Sequence, residues 1–172
     1  MPSADAEDPG ACLICDRIAL AARGGNPTLI AEMESGYAVL GDNQFLRGYS
    51  LLLARDHVRE LHELQGAARD AFLRDMVILG EAVSRVTKAV KVNYAMLGNT
   101  DPHLHCHVHA RYGYEPEPYR RGPITGYPRE MRDAPQHQFE TARDSGLIGS
   151  IREELRVLAG TATVRRFGPP SQ

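Results

Sequence analysis

Four of the seven histidines in this 172-residue chain stand at alternate positions of one short run. They are His103, His105, His107 and His109, separated by Leu104, Cys106 and Val108. Successive side chains of a β-strand point to opposite faces, so this spacing predicts a strand with four imidazoles on one face and three apolar side chains on the other. Histidines two residues apart on a strand are separated by ~6.6 Å, so a phosphate group at His105 would be within reach of both neighbours.

Three interpretations of this histidine strand are open. The four residues could be unrelated surface and core histidines, although four of seven in one run argues against that. They could belong to a metal hydrolase, but such sites usually add carboxylates, and this strand continues into Ala110 and Arg111. We favour the third interpretation, in which neutral His105 attacks phosphorus and forms a labile nucleotidyl-histidine, so that one difficult displacement becomes two easier ones.

Cys12 and Cys15 have the spacing with which two thiolates bind one tetrahedral Zn²⁺ ion, and such a site needs two more ligands. The alternatives are reduced core cysteines or a redox pair, but a redox pair would be expected at a helix N-terminus within a βαβ unit. Cys106, on the apolar side of the strand, is expected to serve packing. Three cysteines are too few for a disulfide framework, which favours a reducing, cytoplasmic location.

Further elements must position these residues. Residues 37–40, 50–54 and 92–97 are predicted strands, and the loop 41–48 between the first two carries Asp42 and Asn43. Apolar residues recur every three or four positions from about Arg59 to Val90, which predicts a helix with a possible break at Gly66. A last helix is predicted around residues 147–158, with Asp144 or Ser145 at its N-cap. Residues 1–10 are expected to be a disordered lead-in.

The composition is that of one ordinary globular domain, with 42% apolar and 24% charged residues and a net charge of -2. Lysine and arginine are scattered, which argues against binding to double-stranded nucleic acid. No segment approaches the ~20 apolar residues that a membrane-spanning helix needs. We therefore expect no membrane association.

The run from Leu97 to Val108 resembles the His-φ-His-φ-His-φ-φ motif of the histidine-triad (HIT) superfamily, where φ is an apolar residue. The segments 40–44 and 47–52, followed by Arg55-Asp56-His57-Val58, resemble the strand-loop-strand of that family and its basic-x-His element. Together these similarities cover roughly residues 12–112.

The resemblance implies an α+β, HIT-like fold with an antiparallel sheet of about five strands and two main helices, to which the predicted C-terminal helix is added. The HIT domain would span residues 11–112, and residues 113–172 would form a C-terminal extension packed on or beside it. Members of the family commonly form a homodimer through a helix and an edge strand, so a homodimer is expected here.

The resemblance also implies roles for individual residues. His105 would be the catalytic nucleophile, flanked by His103 and His107, with His107 contacting the phosphate. The residues implied to bind the nucleotide are Asp42, Asn43, Asn93, Asn99, Thr100 and His107. His109 departs from the family pattern and would be either a proton donor near the leaving group or a residue at the solvent edge. The sequence after Arg111 also diverges, so no leaving group is implied.

In zinc-containing members of the superfamily, the positions that match Cys12, Cys15, His57 and His103 bind the metal. Four such ligands would fill a tetrahedral shell and leave no position for water, so the Zn²⁺ ion would be structural. His62, five residues after His57, is expected to be a solvated side chain.

The function implied is a nucleotide hydrolase or transferase in which His105 attacks the α-phosphate of a dinucleoside polyphosphate or a nucleoside phosphoramidate. One alternative is a transferase similar to the uridylyltransferase branch, although that branch has Gln at the position of His107. A non-catalytic nucleotide-binding or zinc-stabilised interaction module is the other alternative.

Overall fold

The computed structural model describes residues 12–167, with side chains through residue 159. The helices are α1 (Leu13–Ala22), α2 (Gly66–Thr87), α3 (Arg129–Arg132) and α4 (Thr141–Thr163). The strands are β1 (Leu29–Met33), β2 (Gly36–Leu40), β3 (Ser50–Ala54), β4 (Lys91–Ala95), β5 (His105–Arg111) and β6 (Val164–Phe167). The predicted lead-in, residues 1–10, lies outside the described residues.

The six strands form one sheet in the order β4-β5-β3-β2-β1-β6, and each neighbouring pair is antiparallel. The predicted α+β fold is confirmed. β2 to β5 correspond to the predicted strands, β1 was not predicted from the sequence, and β6 extends the sheet at one edge. The long predicted helix begins at Gly66, after a short 3₁₀ turn at Leu61–Glu63. Among the described residues, no helix is long and apolar enough to cross a bilayer.

The sheet separates two apolar clusters. Even-numbered residues of β5, Cys106 and Val108, pack with Phe72 of α2 and with Ile151 and Leu155 of α4 in the larger cluster. On the other face, α1 inserts Ile14 and Ala21 between strand residues that include Leu29, Val39 and Leu53. Leu53 pairs with His105 and Leu51 with His107, so the odd-numbered histidines of β5 lie on the α1 face of the sheet.

A buried ion pair joins the end of β5 to the C-terminal extension. The Nε and Nη2 atoms of Arg111 donate to the two carboxylate oxygens of Glu115 at 3.0 and 2.8 Å, and the two side chains are only 5% and 2% exposed. Arg111 also donates to the carbonyls of Tyr119 and Gly122. Tyr127 donates to Glu115 at 2.8 Å, so one carboxylate holds several turns of the irregular segment.

We expect Glu115→Gln to lower the free energy of unfolding by about 3 kcal/mol, because it leaves the Arg111 guanidinium buried without its anion. Chemical denaturation measures this change. Glu117→Gln is the control, since Glu117 is an exposed partner of Arg120 and its loss should have little effect on stability. Equal losses in the two variants would contradict the prediction.

Candidate active site and metal centre

Three of the histidines, His105, His107 and His109, lie on β5, an interior strand that pairs with β3 on one side and β4 on the other. We call these three residues the histidine row. The alternation of histidine and apolar residues predicts a strand that includes His103. In the structure, the regular strand begins two residues later, at His105. Leu104 nevertheless keeps sheet-like contacts, because its N–H donates to Val58 O and its carbonyl accepts from Ala54 N. His103 therefore remains beside the row, just outside the strand.

Hydrogen bonds assign the tautomer of His105. Its Nδ1 lies 2.7 Å from the carbonyl oxygen of His103, and a carbonyl only accepts, so Nδ1 carries the proton. The lone pair of the neutral ring is then on Nε2. His105 is 7% exposed, so the lone pair of its Nε2 lies in a largely dehydrated setting.

His107 continues the same chain of hydrogen bonds. Its Nε2 lies 3.0 Å from Nε2 of His105, so the Nε2–H of His107 donates to that lone pair. Its Nδ1 lies 2.6 Å from the hydroxyl of Tyr49 and accepts from it. Burial, followed by the charge of His105, lowers the pKa of His107 to about 4 despite the opposing effect of Asp101, so the ring is neutral at pH 7.

Tyr49 is a site residue that the sequence reasoning missed. Burial is the main cause that raises its pKa, so the phenol stays protonated and acts as a donor. Its ring is stacked on His109, with centroids 4.4 Å apart and an angle of 8° between the planes. Gly41 makes room for it, since a Cβ there would lie 2.3 Å from the Tyr49 ring. The sequence did contain a signal for this role. Tyr49 stands one residue before β3 and two before Leu51, so the alternation of the strand places it on the same face as Leu51 and Leu53.

We expect Tyr49→Phe to lower kcat by about 10- to 100-fold, because His107 loses the donor that fixes its tautomer. The rate is measured on a nucleoside phosphoramidate, one of the substrate classes that the family resemblance implies, and ¹⁵N NMR of the imidazoles reports the tautomer directly. Tyr114→Phe is the matched control, since Tyr114 is 76% exposed. An unchanged His107 tautomer in Tyr49→Phe would contradict this role.

His109 lies neither at the solvent edge nor in a cationic state. It is half-buried between Tyr49 and β4, where it pairs with Asn93. Burial, and then the charges of His107 and Arg111, lower its pKa to about 4. At neutral pH it is therefore an uncharged ring that supports Tyr49.

The lowered pKa values of His107 and His109 predict acid sensitivity of the fold. Between pH 6.5 and about 4 the unfolded histidines bind protons that the folded ones do not, so the free energy of unfolding falls as the pH falls. We expect His109→Asn to reduce this acid-induced loss by on the order of 2 kcal/mol. Denaturant titrations at pH 7 and pH 4.5 measure it, and identical losses in wild type and variant would refute it.

The residues predicted to bind the nucleotide lie in different surroundings. Asp42 is exposed in the β2–β3 loop and forms a two-fold ion pair with Arg17 of α1. Asn99 and Thr100 are exposed in the turn that leads into His103. Two others contact the C-terminal extension or its anchor: the amide of Asn43 donates to Arg132 O at 2.6 Å, and Asn93 accepts from Arg111 at 2.7 Å.

The structure brings the four predicted metal ligands together. One ligand atom from each of Cys12, Cys15, His57 and His103 lies within 4.8 Å of the others. Sγ of Cys15 is 3.2 Å from Nδ1 of His57 and 3.4 Å from Nδ1 of His103, and Sγ of Cys12 is 3.6 Å from the latter atom. A tetrahedral Zn²⁺ ion with ordinary bond lengths separates its sulfur and nitrogen ligands by ~3.5 Å. The donor set and its spacing therefore fit zinc.

The orientation of His103 suits a metal ligand. Its Nε2 lies 2.8 Å from Ala54 O and must carry the proton, which leaves the lone pair on Nδ1, facing both sulfurs. Burial lowers the pKa of this ring and so favours its neutral, ligating form. His103 thus contributes to the candidate metal site through its side chain and orients the His105 ring through its carbonyl.

Known structures share this fold. A histidine triad protein from Marinobacter aquaeolei VT8 is 23% identical with a TM-score of 0.63, over 76% of this chain and 89% of the other. A hypothetical histidine triad nucleotide-binding protein from Sulfolobus tokodaii is 17% identical with a TM-score of 0.63, over 84% and 93%. A Zn-bound histidine triad family protein from Mycobacterium smegmatis is 22% identical with a TM-score of 0.54, over 87% and 96%.

Sequence comparison gives the family itself. No curated protein matches the sequence. A family model described as the HIT domain, however, matches residues 25–114, which is more than half of the chain and includes the whole histidine row. The chain therefore belongs to the HIT family.

Proposed function

We propose that this protein is a nucleotide hydrolase or transferase of the HIT type and that His105 is its nucleophile. The observation that carries the proposal is the ordered chain of hydrogen bonds from Tyr49 through His107 to His105, which leaves one imidazole lone pair on Nε2. A neutral imidazole with its lone pair already oriented attacks phosphorus without a separate base.

In the proposed first step, Nε2 of His105 bonds to the α-phosphorus and the bond to the leaving group breaks. The leaving group keeps the electron pair and, when it is an amine, takes up one proton. In the second step, water or another acceptor attacks the same phosphorus, the phosphorus-nitrogen bond breaks, and one proton is released. The two steps return His105 to its starting state.

The neighbours of His105 stabilise the phosphate in this proposal. The Nε2–H of His107 is the nearest donor to the attacking nitrogen, and it would turn to a phosphate oxygen when substrate arrives. Asn99 and Thr100 would supply further donors from the turn before the row, and Asp42 would bind the ribose. Asn43 would act through Arg132 of the extension, and Asn93 through Arg111, the residue of β5 that anchors the extension.

We propose that Zn²⁺ occupies the Cys12, Cys15, His57 and His103 site and has a structural role. Two thiols and two imidazole nitrogens form a set that suits zinc, and four ligands complete its shell. The histidine triad family protein from Mycobacterium smegmatis is described as Zn-bound, which supports zinc as the ion. The metal would join α1 to the strand that carries the nucleophile.

Substrate turnover tests the proposed reaction. Purified protein is mixed with diadenosine polyphosphates and with adenosine phosphoramidate, and products are separated by chromatography. Brief mixing followed by mass spectrometry without acid should show a nucleotidyl adduct. Transfer to a second phosphate acceptor would identify a transferase, whereas tight binding with no adduct and no product would support the binding module instead.

A homodimer is part of the proposal. β4 is an edge of the sheet, and Tyr94 and Met96, in and just after it, are each 40% exposed. An open strand edge with apolar neighbours is suited to pairing with a second copy. Light scattering at micromolar concentration should give twice the chain mass, and a monomer would exclude this arrangement.

A further inference from the structure

Arg17 is the basic residue of helix α1, and its guanidinium is held by Asp42 of the β2–β3 loop. Its Nη1 donates to one carboxylate oxygen of Asp42 at 2.8 Å, and its Nη2 donates to the other. Both sides of this ion pair are anchored elsewhere. α1 buries Ile14 and Ala21, and the backbone carbonyl of Asp42 accepts from the N–H of Phe139 at 2.7 Å. The guanidinium is therefore held in one orientation.

The ion pair leaves one edge of the guanidinium free. An arginine has five N–H donors, and Asp42 takes one from each Nη atom. The Nε–H and the second N–H of Nη2 are parallel and point to the same side. In the part of the chain that the structure describes, no residue accepts from the Nε–H, and the side chain is 33% exposed. Arg17 thus presents two parallel donors to solvent.

The charges around Arg17 favour an uncharged ligand at these donors. Its pKa is raised, first by the hydrogen bond to Asp42 and then, against the opposing effect of burial, by the charges of Asp42 and Asp101. A phosphate that approached the guanidinium would meet both carboxylates. A neutral group with two neighbouring acceptors would gain the hydrogen bonds without that repulsion.

The proposed ribose contact places a nucleobase next to the free edge. A carboxylate has about four lone-pair positions, so Asp42 can bind the guanidinium and still accept from ribose hydroxyls. The carbon that bears the 2′-hydroxyl is bonded to the carbon that bears the base, so the base lies beside the group that holds Asp42. Leu13, one helical turn before Arg17, is 52% exposed and offers an apolar surface to the face of a base.

We propose that Arg17 determines base specificity and selects 6-oxopurine nucleotides, guanine above all. Guanine presents O6 and N7 as two neighbouring acceptors, which match the parallel donors of an arginine. Adenine presents N7 beside the N6 amino group, and that donor would face a donor of Arg17. This inference rests on the proposed function and leaves the reaction at phosphorus unchanged.

A kinetic comparison tests the selectivity. Guanosine and adenosine 5′-phosphoramidates release the same ammonia and differ only in the base. We expect wild type to favour the guanosine compound by at least about tenfold in kcat/KM. Arg17→Gln should lower this ratio by at least about tenfold, because a glutamine amide pairs with N6 and N7 of adenine instead. Arg23→Gln, which replaces an exposed arginine at the end of α1, is the control and should keep the ratio.

Base analogues identify the atoms that are recognised. The inosine compound keeps O6 and N7 but lacks the 2-amino group, so it should react as fast as the guanosine compound. The 7-deazaguanosine compound has C–H in place of N7 and should lose most of the advantage over adenosine. If the inosine compound reacted as slowly as the adenosine compound, recognition would lie at the 2-amino group and the proposal would be wrong.

A binding measurement separates base selection from catalysis. In the His105→Ala background, calorimetry should give a Kd for GMP at least about tenfold lower than the Kd for AMP. Adding Arg17→Gln should remove this difference, while adding Arg23→Gln should preserve it. Thermal unfolding of each variant verifies that it is folded, and loss of an exposed ion pair should change stability little.

The outcomes are distinguishable. Equal hydrolysis of the guanosine and adenosine compounds would overturn base selection by Arg17 and leave the proposed function standing. No hydrolysis of either by folded protein would refute the proposed function, and calorimetry would still decide whether guanine is selected. If Arg17→Gln weakened GMP and AMP equally, the guanidinium would serve the phosphate and the base-selection proposal would fail.

Discussion

Replacing His105 by alanine is expected to reduce turnover of adenosine phosphoramidate by about 10⁴-fold or more, because no other group takes the place of its Nε2. The nucleotidyl adduct should disappear with the activity. Initial rates and intact-protein mass spectra, taken on the same preparations, measure both effects.

Two controls make this result specific to the nucleophile. His62→Ala removes an exposed histidine outside the row and should retain full activity. His105→Gly should regain part of its rate when free imidazole is added, since the small molecule supplies the missing nitrogen. If His105→Ala turned over within tenfold of wild type while its fold and metal content were intact, the assignment of the nucleophile would fail.

Loss of one metal ligand is expected to have the second large effect. His57→Ala should weaken zinc binding by about 100-fold, because three ligands remain where tetrahedral zinc prefers four. At zinc concentrations well above the Kd values of both proteins, a 100-fold change corresponds to about 2.7 kcal/mol of stability. For a chain of this length, that shifts Tm downward by roughly 5 to 10 °C.

Metal analysis and thermal unfolding measure this prediction, with His62→Ala as the matched control five residues away. His62 is also exposed but is not among the four clustered ligands. Zinc content should be about one per chain in wild type and in His62→Ala. Equal zinc content and equal Tm in all three proteins would rule out a structural metal at His57.

The parts of the fold that follow from local periodicity could be predicted. Residues 50–54 form β3 as expected, and the helix that was predicted to break at Gly66 begins there. The last helix begins at Thr141, a turn earlier than predicted, because Asp144 lies inside the first turn and accepts from the N–H of Glu140. β6 depends on pairing with β1, more than 130 positions away, which no local pattern encodes.

The residues of the candidate site also fall into two groups, those that short motifs predict and those whose role depends on long-range contacts. The histidine row and the four clustered ligands come from short motifs, so spacing and resemblance were sufficient to name them. Tyr49 was missed because its role depends on a contact with His107, 58 residues later. The path of the irregular segment after Arg111 was also missed, since it depends on contacts between its turns: Arg111 donates to the carbonyls of Tyr119 and Gly122, and Tyr127 donates to Glu115.

The carbonyl of His103 fixes the tautomer of His105, whereas the imidazole of His103 faces the metal site. A backbone oxygen is present whatever side chain occupies the position. Natural variation at residue 103 would therefore alter the proposed metal site without deleting the acceptor that orients the proposed nucleophile. A substitution at residue 103 would in this way separate the proposed metal binding from the proposed chemistry, provided that the chain path before β5 stayed the same.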